Sequence, residues 1–256
     1  MITSPLSISI PLYIQIAEGL ISQIESGELA PGDRLPAERE LSEKLGVNRM
    51  TLRRALQVLE AQGVILRKHG IGTYIAEPKI DRRVDTVFRF TTGMQSRGYT
   101  PGTRLISLEE IFLDAALAHQ LALPVVAPAY QIRRLRTINQ EPVLLESYTI
   151  PAGRFPGLAK HDLEGRSIYE IMESEYGITI ARARQSFEPV VASTFEAELL
   201  KLRSGAPLML EKRISFDSDD RPVEYGKDLY RGDRFRFETE AVPMDYIKNG
   251  NIRINY

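Results

Sequence analysis

Cysteine is absent from the 256 residues, and histidine occurs only three times. No disulfide framework, thiolate zinc site, iron–sulfur cluster or cysteine nucleophile can therefore form. His69, His119 and His161 lie far apart, with no metal-ligand spacing, so neither metal nor cofactor is expected. No run approaches the ~18 apolar residues of a membrane span. The opening Met-Ile-Thr-Ser-Pro-Leu has no basic stretch, and the apolar run after it is too short for a signal peptide. A chain in the cytoplasm, without membrane contact, is the expectation. An excess of charge of one sign is missing as well: 33 basic residues face 34 acidic ones. That excludes a protein coated all over in positive charge, but not a local basic patch.

What is present is an ordinary globular composition, 43% hydrophobic and 26% charged. The length suits two domains, since domains usually hold roughly 100–200 residues. No internal repeat and no low-complexity tract stands out.

Residues 11–27 carry Tyr13, Ile16, Ala17, Leu20, Ile21 and Ile24, the stripe of an amphipathic helix, stopped by Gly27. A turn follows at Ala30-Pro31-Gly32. Pro36 opens a short second helix with Leu41 and Leu45 inward, and Gly46 ends it. Asn48 can cap a third helix that runs to about Gln62 on a Leu52, Ala55, Leu56, Leu59 stripe. Two β-like pieces, Val64–Arg67 and Thr73–Ile75, flank the glycine-rich turn Lys68–Gly72. Residues 77–86 are charged and aperiodic, and read as a linker.

From residue 87 onward, β-like runs outnumber helices. Strands are expected at 103–112, 129–138, 142–150, 179–191, 207–217 and 222–239, and helices at about 114–121, 166–176 and 194–202. Short turns at Asn139-Gln140-Glu141 and Ser218-Asp219-Asp220 imply antiparallel neighbours. Without strict βαβ alternation the class is α+β.

Two short helices, a tight turn and a longer third helix make a helix-turn-helix with a hairpin wing. Arg49 and Arg53 lie four apart, opposite the leucine stripe, with Thr51 and Arg54 flanking them. A helix fits the major groove, and arginine can grip guanine with a bidentate fork. Base contacts concentrate at the N-terminal end of such a helix, where Asn48, Arg49, Thr51 and Arg53 stand. Lys68-His69-Gly70 at the hairpin tip suits a wing, its cation meeting phosphate. Charge agrees with this division. Residues 1–44 hold three basic and seven acidic groups, whereas residues 45–76 hold five basic and one acidic. A solvated charged face is the plainer alternative for Arg49 and Arg53.

The order Pro11–Ile16, Gly27–Leu41, Gly46–Leu56, Leu59–Gly63 and Lys68–Tyr74 resembles the winged-helix signature of the GntR family of bacterial transcription regulators. By that resemblance Arg39, Arg49, Thr51 and Arg53 contact DNA, with His69 and Gly70 in the minor groove. Ala37 departs from the pattern, which often has a serine cap there, at a cost on the order of 1 kcal/mol.

In the strand Gln131–Arg136, alternation puts Arg134 and Arg136 on one face. Glu146 lies in the neighbouring strand. Ser167-Ile168-Tyr169 opens a helix, whose N-terminus attracts anions. Glu224 and Tyr230 share parity in the last hairpin. These groups could cradle a phosphate or carboxylate. They could equally form a surface ladder of ion pairs, Arg136 with Glu141 or Glu146.

Phe90-Thr91-Thr92, Met94–Gly98, Arg134-Leu135-Arg136, Glu146–Pro151, Ser167-Ile168-Tyr169, Gly205–Leu208, Glu224-Tyr225-Gly226 and Tyr230–Phe235 resemble the UTRA ligand-binding domain of the HutC subfamily. Its fold is similar to chorismate lyase, an antiparallel sheet flanked by helices. In members that bind phosphorylated amino sugars, positions matching Arg134, Arg136, Ser167 and Tyr169 hold phosphate, and those matching Glu146, Glu224 and Tyr230 hold sugar. Thr91 and Thr92 are counted with them on the same resemblance, although Arg89 and Gly93 depart from the family pattern around that loop.

The resemblance implies a winged helix at 8–76, a linker at 77–86, an effector-binding and dimerisation domain at 87–241 and a tail at 242–256. It implies a repressor that binds a palindromic double-stranded operator as a homodimer, released by a small anionic effector. Two other classes compete: an enzyme of chorismate-lyase-like fold using Glu146 and Glu224 on a small anionic metabolite, and a purely architectural DNA binder. The length of the C-terminal domain argues against the second.

Overall fold

The computed structural model describes residues 10–68, 70–87 and 89–241, without the side chain of Lys68. The expected tail at 242–256, His69 and the Lys68 side chain lie outside the described residues. The chain divides into two compact units between Lys79 and Ile80.

The first unit has helices α1 (Leu12–Glu25), α2 (Glu38–Leu45) and α3 (Arg49–Ala61), then strands β1 (Ile65–Lys68) and β2 (Gly72–Ile75) in an antiparallel hairpin. The apolar stripes read from the sequence meet in one core built on Leu20, Leu41, Leu52, Leu56, Leu59 and Ile75. Leu35 donates to the Thr73 carbonyl and Gly32 to that of Ile75, which joins the segment after α1 to β2 through a single antiparallel bridge at Arg34 and Tyr74. Gly46 ends α2 in the left-handed region at φ 64°, a conformation that favours glycine. The Asn48 carboxamide accepts from the Met50 amide at 2.8 Å and caps α3.

Ala37 sits at the N-cap of α2 with φ −58° and ψ 146° and no side-chain cap. Ala37→Ser should therefore stabilise this unit by about 1 kcal/mol. Thermal unfolding of its helical signal checks this, and an unchanged midpoint would mean that serine cannot reach the free amides.

The second unit opens with β3 (Ile80–Arg83) and α4 (Phe90–Gln95). It continues as β4 (Pro101–Phe112), α5 (Ala115–Leu121), β5 (Pro128–Ile138), β6 (Glu141–Pro151) and α6 (Ile168–Tyr176). It closes with β7 (Arg182–Val191), α7 (Thr194–Leu200), β8 (Pro207–Phe216), β9 (Pro222–Arg231) and β10 (Phe235–Glu238). Six strands form one sheet in the order β4-β5-β6-β9-β8-β7, every neighbour antiparallel. Helix α6 packs on one face with Tyr130, Ile132, Tyr148 and Val223. Helix α4 covers the same face beside Ile138, Leu144 and Tyr230. Helix α7 contributes to a core with Leu135, Leu145 and Leu208, and α5 to one with Leu113 and Ala129.

Three readings of the sequence change here. The stretch 77–86, read as a linker, contains β3, which pairs in parallel with β10. Ile80 is apolar and buried on that strand, and Arg82 is buried beside it among charges, so hydrophobicity alone did not mark a strand. The run 222–239 is two strands, because the Gly232-Asp233-Arg234 turn sends β10 to β3 instead of along β9.

A repeat is also present. The order β4-α5-β5-β6 recurs as β7-α7-β8-β9, and β6 and β9 meet at the middle of the sheet. Asp114 and Ser193 cap α5 and α7 through the amides of Leu117 and Glu196. Ala122 and Lys201 end those helices in the left-handed region. Pro128 and Pro207 then start the next strands. Between residues 103–134 and 182–213 eight of 32 positions are identical, among them Ala118 with Ala197, Leu121 with Leu200, Pro128 with Pro207 and Arg134 with Arg213, a level at which the repeat is hard to see in sequence.

Candidate DNA-reading face and ligand site

On the first unit, the N-terminal half of α3 is exposed opposite its buried leucines. Asn48, Arg49, Met50 and Arg53 are exposed, and Thr51 is half-buried. Arg39 on α2 is also exposed, 3.9 Å from Glu43 one turn away. Gly70 forms the hairpin tip at φ 73°. Arg53 is not free: its Nε and Nη2 donate to Oε2 of Glu38 at 3.1 and 3.0 Å. Arg54, expected to flank the reading face, instead lies 4.2 Å over the ring of Tyr13 and ties α3 to α1. Met50, 66% exposed, is a member of this face that the sequence reading passed over.

In the second unit the charged residues fall on the sheet face covered by α4 and α6. Register places Arg134, Glu146, Asp228 and Glu211 side by side across β5, β6, β9 and β8. The next row places Tyr148, Gly226 and Arg213 together. Four carboxylates, Glu146, Glu211, Glu224 and Asp228, and four arginines, Arg82, Arg134, Arg136 and Arg213, are buried there. Buried charge of this density is tolerable only when paired and hydrogen-bonded.

The pairing is specific. Arg134 donates through Nε and Nη2 to Oε2 of Glu146 at 3.1 and 2.7 Å, and through Nη1 to the carbonyls of Leu163 and Arg166. Arg136 reaches the same Oε2 at 3.3 Å and donates to Oγ1 of Thr91 at 2.8 Å. Its guanidinium lies 4.3 Å over the ring of Phe90. Burial works against the Glu146 charge, but Arg136 and Arg134 outweigh it and hold that carboxyl below its ordinary value. Arg213 serves the other half. Its Nε donates to Glu224 at 2.9 Å and its Nη1 to Asp228 at 2.7 Å. Tyr169 and Ser215 also donate to Glu224. Gly226 makes room for that guanidinium, since a Cβ there would stand 2.6 Å from Nη2 of Arg213. Arg82 pairs with Glu211 at 2.8 Å, and Tyr230 donates to the same carboxylate.

Asp228 is the weakly held member. Burial pushes its carboxyl up to about 7, with Glu211 and Glu146 adding to the rise against Arg213. An acid with a raised value binds its proton more tightly folded than unfolded. Its contribution to stability is therefore present at low pH and declines from about 4 up to about 7. Asp228→Asn keeps the shape and removes the charge, while Arg213 retains Glu224 and Glu211. The variant should melt a few degrees above the parent at pH 8, with the gap closing toward pH 4. A constant gap would show that Asp228 does not titrate in this window.

A cavity of about 20 Å³ lies between this face, α4 and the start of α6. Among the expected residues, Arg134, Arg136, Glu146, Ser167, Tyr169 and Tyr230 line it. Thr91 reaches it through Arg136, and Glu224 stands behind Tyr169. Thr92 does not join them: it is exposed, and its hydroxyl donates to the Arg89 carbonyl. Ser167 is the N-cap of α6, yet its hydroxyl makes no cap bond on its own helix. Arg136 is paired with Glu146, as the ladder reading had it, but the pair is buried in the cavity wall and not on the surface. Glu141 pairs instead with Arg231 and Arg234.

Arg89, Tyr148, Arg213 and Asp228 also line the cavity and were not assigned to it from the sequence. Polar groups at every second position of β8 and β9, Glu211-Arg213-Ser215 and Glu224-Asp228, were the available signal. Larger grooves beside α7, about 590 Å³, and α5, about 220 Å³, lack this arginine–carboxylate network. Among the described residues no cluster of His, Asp or Glu could hold a metal ion. No helix among them is long and apolar enough to cross a membrane.

The model for bacterial regulatory proteins of the gntR family matches residues 12–75, and that for the UTRA domain matches residues 96–236. The HTH-type transcriptional repressor NagR of Bacillus subtilis is 40% identical over 228 residues, 89% of this chain and 93% of NagR. This chain is a GntR-family protein. Its pairing of a winged helix with a UTRA domain is the HutC-type arrangement within that family. The GntR-family repressor PhnF of Mycolicibacterium smegmatis is 35% identical over 206 residues, 80% of this chain and 83% of PhnF. The crystal structure of PhnF from Mycobacterium smegmatis superposes with a TM-score of 0.64 at 31% identity, covering 90% of this chain and 99% of that one. The α+β class, the winged helix and the antiparallel sheet flanked by helices follow from the same matches.

Proposed function

We propose that this GntR-family protein is a cytoplasmic transcriptional repressor. It reads a two-fold double-stranded operator as a homodimer and lets go when a small anionic effector enters the second unit. Arg39, Asn48, Arg49, Thr51, Arg53 and the Lys68-His69-Gly70 tip form the DNA surface. Arg134, Arg136, Ser167 and Tyr169 receive the anion, with Glu146, Glu224, Tyr230 and Thr91 around the rest of the ligand. Relatives named as repressors, NagR of Bacillus subtilis and the probable fructoselysine utilization operon repressor of Escherichia coli, support the repressor reading, and a phosphorylated sugar or amino sugar is the effector class proposed.

The observation that carries the ligand half is the buried Arg134–Arg136 pair beside the uncommitted hydroxyl of Ser167. A cavity of about 20 Å³ admits one water and no metabolite. Ligand entry therefore requires Glu146 to swing off the arginines or α4 to move. An enzymatic use of Glu146 and Glu224 has little support, because the first is bound by two arginines and the second by Arg213, Tyr169 and Ser215.

A thermal-shift screen against sugar phosphates, amino sugar phosphates and small carboxylates tests the proposal. A true effector stabilises by RT ln(1 + [L]/Kd), weakens operator binding and is recovered unchanged. A coupling of about 1–3 kcal/mol corresponds to roughly a 5–150-fold change in DNA affinity. A stabilising ligand that leaves operator affinity untouched, or one that is turned over, would sink it.

A further inference from the structure

A carboxylate is an odd occupant of a surface that meets phosphate, because it repels the backbone it approaches. Glu38, the first residue of α2, nevertheless faces the exposed side of α3. Both of its oxygens are engaged. Oε2 accepts from Nε and Nη2 of Arg53 at 3.1 and 3.0 Å. Oε1 lies 3.4 Å from Nη2 of Arg67 on β1, and Nε of Arg67 lies 3.3 Å from Glu60. One side chain thus ties the start of α2, the outer face of α3 and the hairpin strand together. The Arg53 side chain stays 52% exposed in this grip, so its guanidinium is fixed in direction yet still presented to solvent.

Ion pairs at such exposure contribute little to stability, so stability is a poor reason for the contact. Orientation is a better one. A long side chain ordered only on binding lowers affinity for the correct sequence, and a bidentate grip on guanine tolerates little misalignment of the guanidinium plane. We propose that Glu38 is a positioning residue for sequence reading: it pre-sets Arg53 for the base edge and forgoes some non-specific attraction to the phosphates. This rests on α3 being the recognition helix.

The test uses the full-length protein and two duplexes of equal length, one selected from a random pool by this protein and one scrambled. Fluorescence anisotropy gives affinities for Glu38→Gln, Glu38→Ala, Arg53→Ala and the double variant Glu38→Ala/Arg53→Ala. Melting temperatures accompany each, and the glutamine variant keeps the shape if alanine perturbs the helix. Loss of Glu38 should leave scrambled binding equal or tighter and reduce the preference for the selected duplex about tenfold, within the range of one bidentate contact. In the Arg53→Ala background, removing Glu38 should change the preference no further. Equal shifts on both duplexes would reduce Glu38 to a repulsive charge and overturn the proposal. Losses that multiply in the double variant would overturn it too, since Glu38 would then act without Arg53. If Arg53→Ala alone keeps the full preference, the recognition-helix reading itself fails.

Discussion

Arg134→Ala is expected to destabilise the second unit by about 3–5 kcal/mol and to abolish the response to effector. Arg134 is 1% exposed and supplies two of the three hydrogen bonds that reach Glu146. Its removal strands a buried carboxylate with Arg136 alone and leaves the carbonyls of Leu163 and Arg166 short of a donor. The melting temperature of this unit should fall by roughly 6–20 °C.

The pH dependence identifies the cause. The depressed carboxyl of Glu146 contributes stability above its ordinary value and loses it as pH falls through the folded one. The gap between parent and variant should therefore narrow below about pH 4. A second variant, Arg134→Met with Arg136→Met and Glu146→Leu, removes all three charges of the cluster and should recover much of the stability without recovering effector response. If it still binds the effector of the parent protein, the anion is held elsewhere.

Arg49→Ala should weaken operator binding severely while leaving the fold intact. Arg49 is exposed on the first turn of α3, and surface substitutions of that kind usually change stability by less than about 0.5 kcal/mol. Loss of one bidentate base contact removes about 1–3 kcal/mol of discrimination. The proposed homodimer on a two-fold operator would lose it twice, so the fall in specific affinity is expected between about 30-fold and roughly 20,000-fold. Affinity for scrambled DNA should fall far less. Measured against salt, the slope tells the two roles apart: a base-reading arginine leaves it nearly unchanged, whereas a phosphate contact lowers it by about one. Equal losses on operator and scrambled duplexes would reassign Arg49 to the backbone.

The two variants concern opposite kinds of arginine. In the proposed reading Arg49 meets DNA from an exposed position on α3. Arg134 is buried and already paired, so an effector anion would have to compete with Glu146 for it. That competition gives the ligand a differential interaction between two arrangements, which a binding signal requires.

The winged helix was legible in the sequence almost to its ends. Its determinants are local: the 3.6-residue stripe of Leu52, Ala55, Leu56 and Leu59, the Asn48 cap and the Gly46 stop act within a few residues of where they stand. The strands of the second unit, and the parity that puts Arg134 and Arg136 on one face, were legible for the same reason. What only the tertiary structure decided are the partners. The row Arg134, Glu146, Asp228 and Glu211 joins four strands whose order along the sheet departs from their order in the chain. Arg213, Gly226 and Asp228 enter the site through that order, and no local pattern reports it. The same holds for β3, a short charged segment that is a strand only because β10 lies beside it. In the first unit, Arg53 and Arg49 look alike in sequence, and only the approach of α2 gives Arg53 to Glu38. Periodicity is a property of neighbours along the chain, whereas pairing of charges is a property of neighbours in space.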